Sequence, residues 1–517
     1  MTAMKWSRFV CAFAAFCASV LLYNSRSLGQ DDAGGGGGFL GGNGGNSGGA
    51  GNNGNAGGAA QADFDTLIEL ITATIAPDSW EDVGGTGTLQ GFPGGVFVDA
   101  SGTMRRIDSR IRSGLSKRFA KSNLANAKNS NSDVLKRSTF RKVSLNRLEQ
   151  KLRQLEDSQP PSADMLYLAG LERIDYLLID EENRDVIIAG PAGKWMTDSE
   201  GRIVSVKTRR PVLQLDDLVV VLRNAFGGHG AFSCSITPTQ ENLRRTQTFI
   251  KETTQQPLKQ GQREEWVEGL QNALGNQKIE LGGIPASSRL ARTIVEADYH
   301  MKLIGIGLEP GTAGVISYLD SIEIPKGGSP PPLGVLRWWF TLNDKSIATN
   351  DDRSIYSLKQ QLVEVLSENE LLSKLGERIH TGESDALNRE FAASFTRHFE
   401  ALAKRYPIYA DLENIFELAL VAGIIRHEDL FTKLDLTMDY WLNSDGYQLQ
   451  SARVPLEVPT VANHRVINGK HVVAAVSGGV KVAPTTWLTS HTTTKRFKSH
   501  DYTSKSIDGE SRPWWWD

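Results

Sequence analysis

Apolar and polar positions recur with two different periods along this chain, and each change of period marks an element. In KVSLNRLEQKLRQLE, Leu145, Leu148, Leu152 and Leu155 fall three and four apart behind Ser144, which predicts a capped amphipathic helix. DFDTLIELITATIAP repeats the device with Phe64, Leu67, Ile68, Ile71 and Ile75 after Asp63, and Pro77 ends it. Period two takes over in VFVDASGTMRR, where residues 99–102 interrupt two strand-like runs, and again in KWMTDSEGRIVSVK at residues 198–201. Both predict tight hairpins with glycine in the left-handed position. LERIDYLLIDEENRDVIIAGPAGKWMTDSEGRIVSV then reads as a meander of four short strands, turning at residues 180–185, 190–193 and 198–201.

Further along, LDDLVVVLRNAF predicts a helix capped by Asp216. A strand holding Cys234 follows, then polar helices around Asn242 and Trp266, a strand at residues 278–281 and a helix from Ser287 to about Met301. RWWF belongs to a core strand. Leu387, Phe391, Phe395, Phe399 and Leu402 recur every three or four residues, Pro407 interrupts, and Leu412, Ile415, Phe416, Ala419 and Ile424 continue, the pattern of a helical hairpin with a packed seam. HVVAAVSGGVKVAP reads as a strand pair around Gly478 and Gly479. Strands and helices mix without regular alternation. The expected class is therefore α+β, with mixed short-strand meanders, packed helices and a C-terminal helical hairpin, in preference to a doubly wound parallel sheet.

Composition changes the picture at the ends. The 517 residues are 40% hydrophobic and 8% aromatic, ordinary for a folded core. Lys5 and Arg8 precede an apolar run over residues 9–23, with Ser27 and Gly29 placed for cleavage, which predicts a secretory signal; a spanning helix wants about 20 apolar residues. Residues 34–60, GGGGGFLGGNGGNSGGAGNNGNAGGAA, have too little to bury and read as a flexible tether. The expected divisions are a signal peptide over 1–29, a Gly-rich linker over 30–62, a helix-plus-hairpin module over 63–107 and a basic linker over 108–140. An α+β domain over 141–330, strands and a helical hairpin over 331–482 in the same or a second domain, and a disordered tail over 483–517 complete the chain. Cys11 and Cys17 fall in the leader without the small preceding residue that lipidation wants. Cys234, left alone, reads as a buried thiol.

The net charge of −3 argues against a wholesale nucleic-acid binder but hides an asymmetry: between Thr103 and Arg153 stand 15 Lys or Arg against 3 Asp or Glu. Arg105, Arg106, Arg110, Lys117 and Arg118 are thus candidate contacts for an anionic envelope polymer or an envelope protein. Aromatics are too sparse there for base stacking. Trp514, Trp515 and Trp516 are further binding candidates.

At KVSLNRLEQKL, MLYLAGLERIDYLLIDEENRDVIIAGPAGKW, RPVLQLDDLVVVLRNAF, IPASSRLARTIVEADYHMKLIGIGLEP, RWWF and HVVAAVSGGVKV, the chain resembles a planctomycete exported protein family of unknown function, of the domain of unknown function 1598 type. The resemblance runs over about residues 143–480, and APDSWEDVGG is similar to a segment of other exported proteins of that group. It implies lineage and export and carries no catalytic residues with it.

Known catalytic spacings are mostly missing. Gly84, Gly85 and Gly87 lack the lysine and hydroxyl of a phosphate loop, none of the nine histidines forms a zinc-protease pair, and no G-x-S-x-G elbow occurs. GIGLEPG at residues 305–311 misplaces its third glycine and reads as a loop. His464 and His471 could meet across a hairpin, but no third ligand accompanies them; His229 and Cys234 have the residue types of a thiol dyad without its spacing. The helix of ASSRLARTIVEADYHMK gathers Ser287, Ser288, Glu296, Asp298 and His300, the candidate catalytic set if one exists. No cofactor and no metal is expected. The leading expectation is an exported, non-enzymatic structural or interaction protein without a membrane span in the mature chain. The alternative is a cofactor-independent hydrolase acting on an envelope polymer.

Overall fold

A computed structural model describes residues 132–485 apart from 156–159, 199, 254–260, 327–334, 344–346, 360, 373–376, 453 and 468–469, together with residues 91–92, 95–98, 104–105, 488, 493–494 and 513–517. The expected signal, the tether and the helix over residues 64–75 lie outside them. The chain divides into Met1–Gly38, also outside, and Phe39–Asp517, to which all of the following belongs.

Strands β1 (Gly91–Phe92), β2 (Gly95–Val98) and β3 (Met104–Arg105) form an antiparallel sheet. β2 sets Phe97 against Arg105 and Val98 against Met104, while the expected turn over residues 99–102 lies outside the described residues. β4 (Ser138–Ser144) runs straight into α1 (Leu145–Arg153). Ser144 serves both, since its hydroxyl accepts the Arg147 N–H at 3.0 Å and donates to the Asp185 carboxylate at 2.8 Å. Leu145, Leu148 and Leu152 are fully buried, as their spacing requires.

The four expected strands are present as β5 (Tyr176–Asp180), β6 (Asp185–Ala192), β7 (Trp195–Thr197) and β8 (Ile203–Ser205), but they do not form one meander: β6 pairs with β5 and β4, and β7 pairs with β8 in a two-stranded sheet of their own. Gly201, at φ +82°, closes the β7–β8 turn, while Asp198 accepts the Glu200 and Arg202 N–H groups. Gly190 departs from the expectation: it lies inside β6, where the Arg173 carbonyl leaves no room for a Cβ. α2 (Leu215–Gly227) begins after Gln214, so Asp216 sits in its first turn and accepts the Tyr447 hydroxyl at 2.8 Å rather than capping it.

The chain continues through β9 (Phe232–Pro238), α3 (Gln240–Thr253), α4 (Arg263–Leu274), β10 (Asn276–Gly282) and α5 (Arg289–Gly305). Strands β11 (Val335–Leu342), β12 (Ala348–Thr349), β13 (Ile355–Ser357), β14 (Val363–Leu372) and β15 (Arg378–His380) follow. Helices α6 (Ala386–Arg397), α7 (Phe399–Arg405) and α8 (Pro407–His427) come next. The remaining strands are β16 (Glu457–Pro459), β17 (Ala462–Ile467), β18 (Lys470–Val482), β19 (Thr493–Thr494) and β20 (Trp515–Trp516). The class is α+β.

Two large sheets organise the described residues. One has the order β15-β14-β11-β18-β9-β10-β16, with β17 paired to β18; β11 and β18 run parallel and the other neighbours antiparallel. Gly478 and Gly479 do not turn the chain: they lie in the middle of β18, where a Cβ would overlap the Trp338 and Cys234 carbonyl oxygens on either side. The stretch expected to hold a strand pair is thus one strand, and its antiparallel partner β17 precedes it in the sequence. Aromatic packing joins this sheet to α6, with Trp338 4.3 Å from Phe391 and Phe340 5.9 Å from Phe395. The second sheet has the order β19-β12-β13-β5-β6-β4-β20.

α8 is enclosed on every side from Ile408 to Ile425, which is why its apolar residues show no single stripe. Pro407 stands at its first position, where a missing N–H costs nothing. The predicted helical hairpin closes on its Tyr409, which meets Phe395 at 5.3 Å and Phe399 at 6.1 Å.

Candidate functional site

The five candidates on and before α5 part company in the fold. Ser287 is exposed, and its carbonyl accepts the Ala452 N–H at 2.7 Å. Ser288 is buried as the helix cap: its hydroxyl accepts the Ala291 N–H at 3.1 Å and donates to the Pro285 carbonyl at 2.7 Å. Glu296 pairs with Arg202 from the β7–β8 turn.

Asp298, two residues on, faces the opposite side, toward β9 and β18. It is fully buried 2.9 Å from Lys302, whose ammonium also donates to the Ile236 carbonyl at 3.2 Å. Burial pushes the Asp298 carboxyl up, against the pull of that ammonium. His300 lies among aromatic rings, with Nδ1 2.7 Å from the Tyr409 hydroxyl and the Tyr406 ring at 4.4 Å. Burial, aided by the charges of Arg202 and Arg405, holds it down at about 4, so it is a neutral ring at pH 7.

What does converge is a charge network around the polar residues of α8. Arg289 grips Asp411 with one nitrogen at 2.5 and 2.7 Å from its two oxygens, and pairs with Asp217 of α2 as well. Arg202 stands 4.0 Å from Asp411 and so links the β7–β8 turn to the same carboxylate. Lower on the helix, Arg210 meets Glu413 at 2.5 Å, Asn414 donates to the Pro211 carbonyl at 3.0 Å, and Glu417 accepts the buried Ile174 N–H at 2.6 Å. Burial, with Glu413 beside it, raises the Glu417 carboxyl well above its usual range. The network fastens α2, α5, α8 and the segments around residues 174 and 202–211 to one another. Residue types alone singled out α5. The clue passed over was Asp411, Glu413 and Glu417 within an otherwise apolar run, since enclosed charges require partners.

Other candidates are also placed. His229 is exposed and Cys234 buried, its thiol pushed up by burial. His464 lies opposite Val473 in the register, and His471 opposite Val466. Arg105 lies in β3; Arg106, Arg110, Lys117 and Arg118 fall outside the described residues. Trp514 is buried, its carbonyl accepting the Ser144 N–H at 2.9 Å, while Trp515 and Trp516 pair with Val143 and Lys142 of β4 as an edge strand. These last residues are therefore part of the second sheet, where a disordered tail was expected. Among the described residues, Glu368, Glu370 and His380 have the types and spacing of metal ligands.

Residues 234–318 match a family described as Protein of unknown function (DUF1598). The DUF1598 segment opens at Cys234 in β9, runs through α3, α4, β10 and α5, and closes at Tyr318, so it contains the whole candidate helix. No curated protein and no solved structure matches the chain. No described helix is long and apolar enough to cross a membrane.

Proposed function

We propose that this chain is exported and acts in the cell envelope as a non-enzymatic structural or interaction protein that contacts an anionic polymer. The observation supporting this reading is the dispersal of the α5 side chains: the serine that caps, the carboxylate held by Lys302 and the histidine held by Tyr409 serve three different neighbours. A hydrolase needs nucleophile, base and orienting group within hydrogen-bond reach of one another. Export rests on Lys5, Arg8 and the apolar run after them.

Contact with a polyanion falls to the first half of the basic stretch. Farther along it, Arg141 is fully buried and Arg147 pairs with Asp185 at 2.9 Å, so both are committed to the fold. Retention of the full chain on heparin-agarose, used as a polyanion, tests the reading. Replacing Arg105, Arg106, Arg110, Lys117 and Arg118 together by Gln is expected to lower the salt needed for elution while leaving the circular dichroism unchanged. Elution of both proteins at the same salt would count against it.

A further inference from the structure

The open edge of the first sheet carries a second set of convergent groups. Glu368 and Glu370 lie on one face of β14, and β15 sets His380 directly opposite Glu370. His380 Nδ1 stands 3.2 Å from Glu368 Oε2 and 3.3 Å from Glu370 Oε1, and the three donor atoms lie within 4.8 Å of one another. We propose that Glu368, Glu370 and His380 bind a divalent transition metal ion of the zinc class.

The two separations from His380 fit. Zinc bonds to nitrogen and carboxylate oxygen of about 2.0–2.2 Å place tetrahedral ligand atoms about 3.3–3.5 Å apart. Each carboxylate also spends its other oxygen on an orienting donor. Glu368 Oε1 accepts the Gly382 N–H at 2.9 Å, and Glu370 Oε2 takes Arg378 at 3.2 Å and the Ser477 hydroxyl at 3.5 Å. Such outer donors fix the direction of a ligating carboxylate. The oxygen of Glu370 left over, Oε1, is buried in a side chain with no exposure and has no hydrogen-bond partner. Its nearest charged neighbours, His380 Nδ1 at 3.3 Å and Arg337 Nε at 3.9 Å, make no hydrogen bond to it, and a bound cation would give this buried oxygen a direct partner. His380 is 57% exposed, so the site opens to solvent on the side where an ion would enter.

Arg337 is the competitor. Its Nη1 lies 3.1 Å from Glu368 Oε2 and its Nε 3.9 Å from Glu370 Oε1, so the guanidinium occupies the position of an incoming ion. It also rests over the Trp339 ring at 4.8 Å, which gives it a place to remain once displaced. With Arg337 displaced, two carboxylates and Arg378 face the ion with one net negative charge.

This arrangement makes an unusual demand: removing a positive residue must strengthen binding. Zinc titration of the full chain without a histidine tag, by calorimetry, is expected to give one ion per chain, with cobalt(II) in its place producing the visible absorption of a four-coordinate site. Arg337→Ala is expected to tighten zinc several-fold. Ser477→Ala, at an outer donor, should weaken it by about tenfold, within the ~10–100-fold typical of such partners. Glu370→Gln and His380→Gln should weaken it more. His380, at the exposed edge, keeps the test open if the Glu370 variant fails to fold. Absence of a stoichiometric site in the wild-type chain, or zinc affinity unchanged by His380→Gln, overturns the proposal.

Discussion

Arg289 carries two buried carboxylates on one guanidinium, and the unequal result appears at Asp217. Burial, together with the charge of Asp411, outweighs the pull of Arg289 and pushes the Asp217 carboxyl up to about 7. In the unfolded chain that group titrates near ~4. Between those values the folded chain keeps a proton that the unfolded chain has released, so this contribution favours folding at low pH and fades as pH rises through 7. His300 has the opposite sign. Folded, it titrates at about 4; unfolded, near ~6.5, so its contribution is lost as pH falls through that window. Urea denaturation between pH 5 and 8 separates the two. Asp217→Asn is expected to gain on the wild type by about 1–3 kcal/mol as pH rises across the range, and His300→Gln to gain by about 1–2 kcal/mol as it falls. Parallel curves for all three proteins would refute the assignment.

Among the elements, glycines divide by whether they turn the chain or admit a neighbour. Gly201 turns it: φ is +82° and the space around a Cβ is open. Gly479 admits a neighbour, because β9 brings the Cys234 carbonyl against its Cα. Replacing Gly201 by Ala is expected to cost about 1–2 kcal/mol of backbone strain, and replacing Gly479 by Ala about 3 kcal/mol or more, from overpacking that the paired strands cannot relieve. Denaturation midpoints of the two variants check the order. The same distinction explains what the sequence could disclose. α1, α5, the β7–β8 hairpin and the α6–α8 hairpin depend on residues within a few positions of one another, and their periodicity was readable. Gly478 and Gly479 look like a turn because the strands on either side of them, β9 and β11, are remote in sequence. The candidate helix was legible for the same local reason, from Ser287 to about Met301, but Ser288 proved to be its cap and Asp298 the partner of Lys302 one turn on. Its other partners were not legible: Glu296 is answered by Arg202 and His300 by Tyr409, pairings only the tertiary fold supplies.

At the scale of the whole molecule, residues 513–517 fasten to the sheet that begins with β4. Asp517 receives Arg141 at 2.8 and 3.1 Å, and the same guanidinium, fully buried, also donates to the Val134, Ala169 and Lys136 carbonyls. Trp515 and Trp516 cover Arg141 and Arg147, each ring 4.7 Å from its guanidinium. A chain shortened to residue 512 is expected to lose about 2 kcal/mol. That is less than the ~3–5 typical of breaking a wholly buried pair, because Asp517 is partly open to water. It should also scatter more light on heating, since β4 becomes an open edge. An unchanged melting temperature would mean that these residues merely rest on the sheet.

In the second sheet, β19 borders β12 and β20 borders β4, and both follow every other strand of that sheet in the sequence. A polypeptide made from its N-terminus at about 5–20 residues per second therefore carries two unpaired rims for many seconds after β13 has left the ribosome. Until β19 and β20 arrive, those rims are open to pairing with the same strands of another nascent copy.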